Sequence, residues 1–287
     1  MKIIIPLLTA FLFLSVIVTT ESFVDTRNCK PGFELLLKTT TKAQVCVKPS
    51  TAVKLIERGW GIMPEQSISD TTEPNYNPII VPNDFVSEIN NKFFTLVPGT
   101  TFIYESQRED GTERNEVNVT NNTKVVLGVQ TVVVWDRVWL DDELIEETFD
   151  WYAQDSSGNV WYFGEDSKEY ESGKVISTEG SWEAGIDGAK PGIIMQAEQK
   201  LGQPYKQEYY KGKAEDMAQV VAVNEKVNVP FGTFDNCIKT KDWNTLVSGS
   251  VEFKYYCPQV GGVTLEVDQD GSNPVELIDM KKTNPEY

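Results

Sequence analysis

The chain has no histidine among its 287 residues. Imidazole acid–base chemistry, Ser-His-Asp and Cys-His triads, and histidine-ligated zinc or copper are therefore excluded. Basic residues are scarce: 26 Lys and Arg stand against 43 Asp and Glu, a net charge of −17, which repels nucleic acid and anionic membrane surfaces. Cysteine is limited to Cys29, Cys46, Cys237 and Cys257, with no C-x-x-C spacing to mark a metal site. After Ser22 no stretch is long and apolar enough to span a bilayer as a helix. What stays open is carboxylate, Tyr, Lys or Ser chemistry, or binding without catalysis.

What is present begins with Met1-Lys2 and the apolar run Ile3 to Val18, the pattern of a secretory signal. A cut after Ser22 would put Thr20 and Ser22 at the two positions that favour small side chains. As an uncut anchor the run is short, since about 16 residues rise only about 24 Å in a helix. The mature chain is thus expected to be secreted or at the cell surface, outside the cytoplasmic membrane and not spanning it. There an even cysteine count reads as two disulfides. Three connectivities exist in principle, and loop closure and proximity favour Cys29 with Cys46 and Cys237 with Cys257. In an antiparallel hairpin the second pair sets a register. Lys239 faces Tyr255, Lys241 faces Phe253, Trp243 faces Val251, and the turn centres on Val247 in the polar break Asn244 to Ser250.

The layout reads as a signal at 1–22, a small cysteine-paired module at 23–62, a proline-rich linker at 63–82, an antiparallel β domain at 83–281 and a tail at 282–287. In the module, Phe33 to Leu37 and Gln44 to Val47 form a strand pair, and Ser50 caps a short helix through Ile56 that Gly59 ends. Asp84 is expected to cap one helical turn through Phe85, Val86 and Ile89. From Thr100 onward short β segments alternate with turn residues, among them Asp110-Gly111, Asp141-Asp142, Ser172-Gly173 and Asp270-Gly271. The expected fold is mostly β, an antiparallel meander forming a barrel, half-barrel or sandwich, preceded by a small disulfide-tied module with one short helix.

The string CKPGFELLLKTTTKAQVCVKPSTAVKLIERGWG resembles a short cysteine-paired module of exported proteins of ammonia-oxidising archaea. Between about Asn90 and Met280 the ordered motifs PGTTFIYES, DWYAQDSSGNVWYFGEDSKEY, GSWEAGIDGAKPGIIM, PYKQEYYKGKAEDM and VPFGTFDNCIKTKDW resemble a family of exported prokaryotic β-rich proteins. The resemblance implies export, an archaeal lineage for the module and a single secreted β domain. It implies no activity.

Aromatic residues crowd between Trp135 and Trp182. Strand alternation over Thr148 to Gln154 puts Phe149, Trp151 and Ala153 on a core face and Thr148, Asp150, Tyr152 and Gln154 on the other. Asp150, Tyr152, Tyr162 and Trp182 are the candidate ligand-binding residues, because rings beside a carboxylate can stack on a sugar or line an amphipathic cavity. Cross-strand packing of rings is the competing reading. Glu165, Asp166 and Glu169, with Glu171, are expected in one loop as candidate calcium ligands, although their spacing matches no calcium-loop signature. No other cofactor is expected, and Asp268 to Gly271 reads as a hairpin turn. Asp150, Glu165, Glu183, Glu208 and Asp216 are candidates for a hydrolytic carboxylate pair. Asn118 and Asn121 head glycosylation sequons. The expected function is a non-catalytic exported protein that binds a small apolar or carbohydrate ligand or a surface partner. A carboxylate-dependent hydrolase of extracellular glycan and a calcium-stabilised surface protein are the alternatives.

Overall fold

The computed structural model describes residues 29–30, 33–48, 51, 55, 58, 60–62 and 76–282, apart from Ser248. The signal, most of the helix expected after Ser50, the linker up to residue 75 and the tail after 282 lie outside the described residues. The chain divides into two compact units, residues 1–64 and 65–287.

In the first unit β1 (Glu34–Lys38) pairs antiparallel with β2 (Gln44–Val47) and with β3 (Gly61–Ile62). The Cys29–Cys46 disulfide ties it together. Leu36 is fully buried, and Gly61 packs against its side chain. So small a sheet buries little apolar surface and needs its staple.

The second unit opens with a 3-10 turn, Pro82–Asp84, followed by β4 (Phe85–Val86), β5 (Ile89–Asn91) and β6 (Phe94–Leu96). The helical turn expected after Asp84 is therefore a strand, because Phe85 and Val86 find backbone partners in Asp155 and Gln154. The long strands follow: β7 (Thr100–Arg108), β8 (Gly111–Val126), β9 (Val129–Leu140), β10 (Glu143–Asp155) and β11 (Val160–Glu171). Short pieces come next, β12 (Lys174–Ser177), β13 (Trp182–Glu183), β14 (Lys190–Met195), β15 (Pro204–Lys206) and β16 (Glu208–Tyr209). The chain ends with β17 (Asp216–Val229), β18 (Gly232–Asn244), β19 (Val251–Cys257), β20 (Gly262–Asp268) and β21 (Val275–Lys282).

All of these strands except β5 and β6, which pair with each other, form a 16-stranded antiparallel sheet that curls into a nearly closed barrel. Two seams bring it round. The last strand, β21, pairs with the first long one, β7. The run 204–209 pairs through β15 with β17 and through β16 with β14, and Gly192 makes room for it, since a Cβ there would sit 2.3 Å from the Gln207 carbonyl. Within β7 to β11 and within β17 to β21 the strands lie side by side in sequence order, as in an up-and-down meander. The β5–β6 hairpin lies across one end of the barrel. Gln154 accepts from the Asn90 and Asn91 amides, Asn91 donates to the Gly158 and Gln196 carbonyls, and the Thr95 amide donates to the Gly261 carbonyl. At this end the interior is an apolar core that includes Phe102, Val134, Ile238 and Leu277.

The β7–β8 turn is made by Glu109 and Asp110, one residue earlier than the Asp110-Gly111 signal, and Gly111 pairs with Arg108. Strand β8 continues past Thr120 through a bulge to Val126. Strand β21 breaks alternation with the adjacent apolar pair Leu277-Ile278, and the ladder shifts register there. Asp268 to Ser272 forms the expected turn, in which the Ser272 amide donates to Asp270.

The Cys237–Cys257 bond has the expected register, with Lys239, Lys241 and Trp243 opposite Tyr255, Phe253 and Val251. Both cysteines are fully buried. The bond closes a loop of about 20 residues, so replacing both cysteines by serine should cost about 3 kcal/mol in the chain-entropy model. Urea unfolding of the double variant measures this, and an unchanged midpoint would show that the bond does not constrain the unfolded chain.

Candidate functional site

Side chains alternate across a strand, so a curled sheet sends every second residue into its interior. Along β9 the inward series is Val132, Val134, Asp136; along β19 it is Tyr256, Lys254, Glu252; along β18, Ile238, Thr240, Asp242. Each series runs from apolar at the capped end to charged further along. A cavity of 240 Å³ lies where the two characters meet. Phe94, Leu96, Phe102 and Val134 line it together with Tyr104, Asp136, Asp150, Tyr152, Lys254 and Glu266. A second cavity of 250 Å³ lies towards the β18–β19 hairpin, bordered by Asp216, Asp242, Asn244 and Glu252, and Lys254 borders both.

A bulge builds the centre of the site. Between Asp150–Glu165 and Tyr152–Tyr162 the β10–β11 register shifts, leaving one extra residue in β11 at Phe163-Gly164. Residues three apart on a regular strand face opposite ways. Here Tyr162 and Glu165 both face inward, and the Tyr162 hydroxyl lies 2.6 Å from Asp150 Oδ1 and 2.9 Å from Glu165 Oε2. Gly164 permits this with φ +133°, and β13 passes so close that a Cβ there would sit 2.3 Å from the Trp182 carbonyl oxygen. The same crossing sets Trp182 opposite Glu165 and edge-on to Tyr162, ring centroids 5.4 Å apart. Tyr152 stacks on the other side of Tyr162 at 4.8 Å.

A phenol has one proton to donate. Two carboxyl groups on one hydroxyl therefore require that one of them be protonated and donate in return. Burial drives this: it raises Asp150 to about 8, with the Glu165 charge adding to the shift, and raises Glu165 to about 7. The same cause, reinforced by Asp150, lifts Asp136 to about 8, and Asn115 donates to its carboxyl. Glu208 is raised to about 9 by burial and by the Asp216 and Glu165 charges. These acids form a belt from the first cavity to the second. Lys254 is the only cation that lines either cavity among the described residues. Burial works against its charge, but Glu266 and Glu252 hold it protonated, with Nζ 2.8 Å from Glu252 and 3.5 Å from Glu266.

The four residues expected to bind a ligand, Asp150, Tyr152, Tyr162 and Trp182, are thus brought together in the lumen. Trp151 is buried on the outer side of the wall with Phe163 and Val133, so the alternation read for Thr148 to Gln154 holds. Other aromatics of the cluster lie outside the lumen: Trp135 stacks on Phe149, and the Arg137 guanidinium caps Trp135 at 3.8 Å. The calcium loop is a correction. Glu165, Asp166 and Glu169 belong to strand β11, whose alternation sends Glu165 into the lumen and leaves Asp166 paired with Lys168. Among the described residues no three acidic side chains converge to hold a metal ion. Of the candidate carboxylates, Glu183 pairs with Lys124. Asn118 is half-buried in β8 and donates to Thr101, whereas Asn121 is exposed in the bulge. Sequence reasoning missed Tyr104, Asp136, Asp242, Glu252, Lys254 and Glu266. Their signal was a polar residue in step with apolar ones on a strand.

Two outcomes follow from this geometry. Gly164→Ala should destabilise the protein by on the order of 3 kcal/mol, through strained φ and collision with the Trp182 carbonyl. Denaturant unfolding checks it, and a neutral effect would mean that the bulge is not built as described. The belt acids have folded-state values raised above the unfolded value of about 4, so the folded state holds more protons between pH 4 and 9. Their contribution to stability is full below pH 4 and is lost as pH rises through 7 to 9. The urea midpoint should therefore be higher at pH 5.5 than at pH 8.5, and the reverse order would contradict a buried, proton-sharing belt.

No family model and no curated protein matches the chain. Among solved structures, a candidate lipoprotein from Parabacteroides distasonis ATCC 8503 is similar at 11% identity and a TM-score of 0.35, over 66% of this chain and 98% of that one.

Proposed function

We propose that this is an exported binding protein that holds a small polyhydroxylated ligand, of monosaccharide size, in the first lumen cavity. The mixed lining of that cavity, apolar and charged together, carries the reading. Phe94, Phe102 and Val134 offer an apolar surface, and Asp136, Asp150 and the Tyr104 and Tyr152 rings line the same space, with Phe94 edge-on to Tyr152 at 5.4 Å. A sugar has a C–H face to lie on rings and hydroxyls to pair with carboxyls. Asp136 and Asp150 each hold one hydrogen bond already, to Asn115 and to Tyr162, and a carboxyl group has lone pairs left for a ligand hydroxyl that an apolar ligand would not use. At 240 Å³ the space falls below the ~300–1,000 Å³ usual for drug-sized ligands. The two disulfides support an oxidising, extracytoplasmic setting. No helix among the described residues is long and apolar enough to cross a membrane.

One observation favours a second reading, a retaining glycoside hydrolase. Asp150 and Glu165 contact the same hydroxyl at 2.6 and 2.9 Å, so their nearest oxygens are no farther apart than the two bonds together, compatible with the ~5–5.5 Å carboxyl spacing of retaining enzymes. Binding is preferred because both carboxyls are spent on one phenol rather than opposed across open space.

Neutral monosaccharides at millimolar concentration should raise the melting temperature of the mature protein by mass action. Asp150→Asn should weaken the effect about tenfold, the usual loss for a hydrogen bond to a charged or proton-sharing group. No shift with any sugar, together with no extra mass in native mass spectrometry of the protein from its own host, would remove the proposal. Turnover of 4-nitrophenyl glycosides that is lost in both Asp150→Asn and Glu165→Gln would replace it with the hydrolase.

A further inference from the structure

Two sequons lie end to end in β8, Asn118-Val119-Thr120 and Asn121-Asn122-Thr123, and the fold treats them differently. Asn118 sits in regular sheet, paired with Thr101 of β7 on one side and Trp135 of β9 on the other. Its side-chain amide donates to Thr101 Oγ1 at 2.7 Å. Val119, the middle residue, is fully buried. The Thr120 hydroxyl donates to the Val133 carbonyl at 2.6 Å and accepts from the Asn122 backbone amide at 3.1 Å. Every position of this first sequon is engaged in the barrel wall.

The second sequon lies where the wall loosens. Strands β8 and β9 pair at Val119–Val134 and again at Thr123–Val132, so residues 120–122 stand opposite Val133 alone. Asn121, Asn122 and Thr123 are all exposed. Among the described residues no hydrogen bond occupies the Asn121 or Thr123 side chain. An asparagine-linked glycan is bulky and hydrated and needs a surface position. The transferase must also reach the acceptor amide and the hydroxyl two residues on, the two parts that define the motif. Of the two sequons, the folded chain offers both groups only in the second.

We propose that Asn121 carries an asparagine-linked glycan and that Asn118 is left unmodified. The co-reactant is a lipid-linked oligosaccharide phosphate of the host membrane, and the two disulfides support the extracytoplasmic setting in which an exported chain meets it. Asn121 Nδ2 forms a bond to C1 of the first sugar while the bond from C1 to the phosphate oxygen breaks. The lipid phosphate leaves with that electron pair, and Nδ2 gives up one proton to the transferase. A covalent glycan on β8 is independent of any ligand in the lumen, so this proposal and the sugar-binding one can fail separately.

The test is tandem mass spectrometry of the protein purified from its own host. Trypsin cuts after Arg114 and Lys124, so one peptide, residues 115–124, holds both sequons. Electron-transfer fragmentation leaves glycans attached and assigns the added mass to one asparagine or the other. The expected result is sugar mass on Asn121 and none on Asn118. Made in the same host, Asn121→Gln and Thr123→Ala should each lose that mass, and Asn118→Gln should keep it. An unmodified peptide or a glycan on Asn118 alone would overturn the proposal. So would equal occupancy of both sites, which would show that transfer precedes folding and that the bulge selects nothing.

Discussion

The inward residues of this barrel are confined to its interior, and the cost of holding charge there shapes the rest of the site. An isolated carboxylate cannot stay ionised out of water; it pairs, or it takes up a proton. The lumen uses both routes. Glu252 and Glu266 pair with Lys254, while Asp150 and Glu165 meet on the Tyr162 hydroxyl, an arrangement that requires a proton on one of them. A sheet opened flat would expose the same side chains to water and lose the effect.

Two close approaches of backbone make the enclosed space. Gly192 lets the run 204–209 lie against β14, and Gly164 lets β13 cross β11 at the bulge. The first brings the sheet round. The second turns Glu165 inward beside Tyr162 and delivers Trp182 to the same cluster. The apolar end, capped by the β5–β6 hairpin, and the acidic belt then give the cavity a lining of two unlike characters. Outside the wall, outward rings such as Trp135 and Phe253 are covered by cations, Arg137 at 3.8 Å and Lys239 at 3.9 Å, which keeps the outer surface polar.

Much of the fold was legible because its signals are local. Period-two alternation located β10, and cysteine spacing with a polar break gave β18, β19 and their register residue by residue. Strand β21 was not legible, since Leu277-Ile278 breaks alternation and only pairing with β7 and β20 holds it extended. The Glu165 to Glu171 stretch read as a loop because it is highly charged, yet β10 and β12 pair with it and make it strand. Charge density is a guide to exposure only when no neighbouring strand competes for the backbone.

Sequence alone determined the exclusion of imidazole chemistry, the β character, both disulfides and the separation of Trp151 from Tyr152 by face, all properties of composition or of a few consecutive residues. Tertiary structure decided which face is the inside, which acids meet, and that Glu165 joins Tyr162 rather than opposing it. Those outcomes depend on residues far apart in the chain: Trp182 against Gly164, Gln207 against Gly192, Glu266 against Lys254. Burial, which sets the proton count of the lumen, is the sum of such distant contacts, and no stretch of sequence carries it.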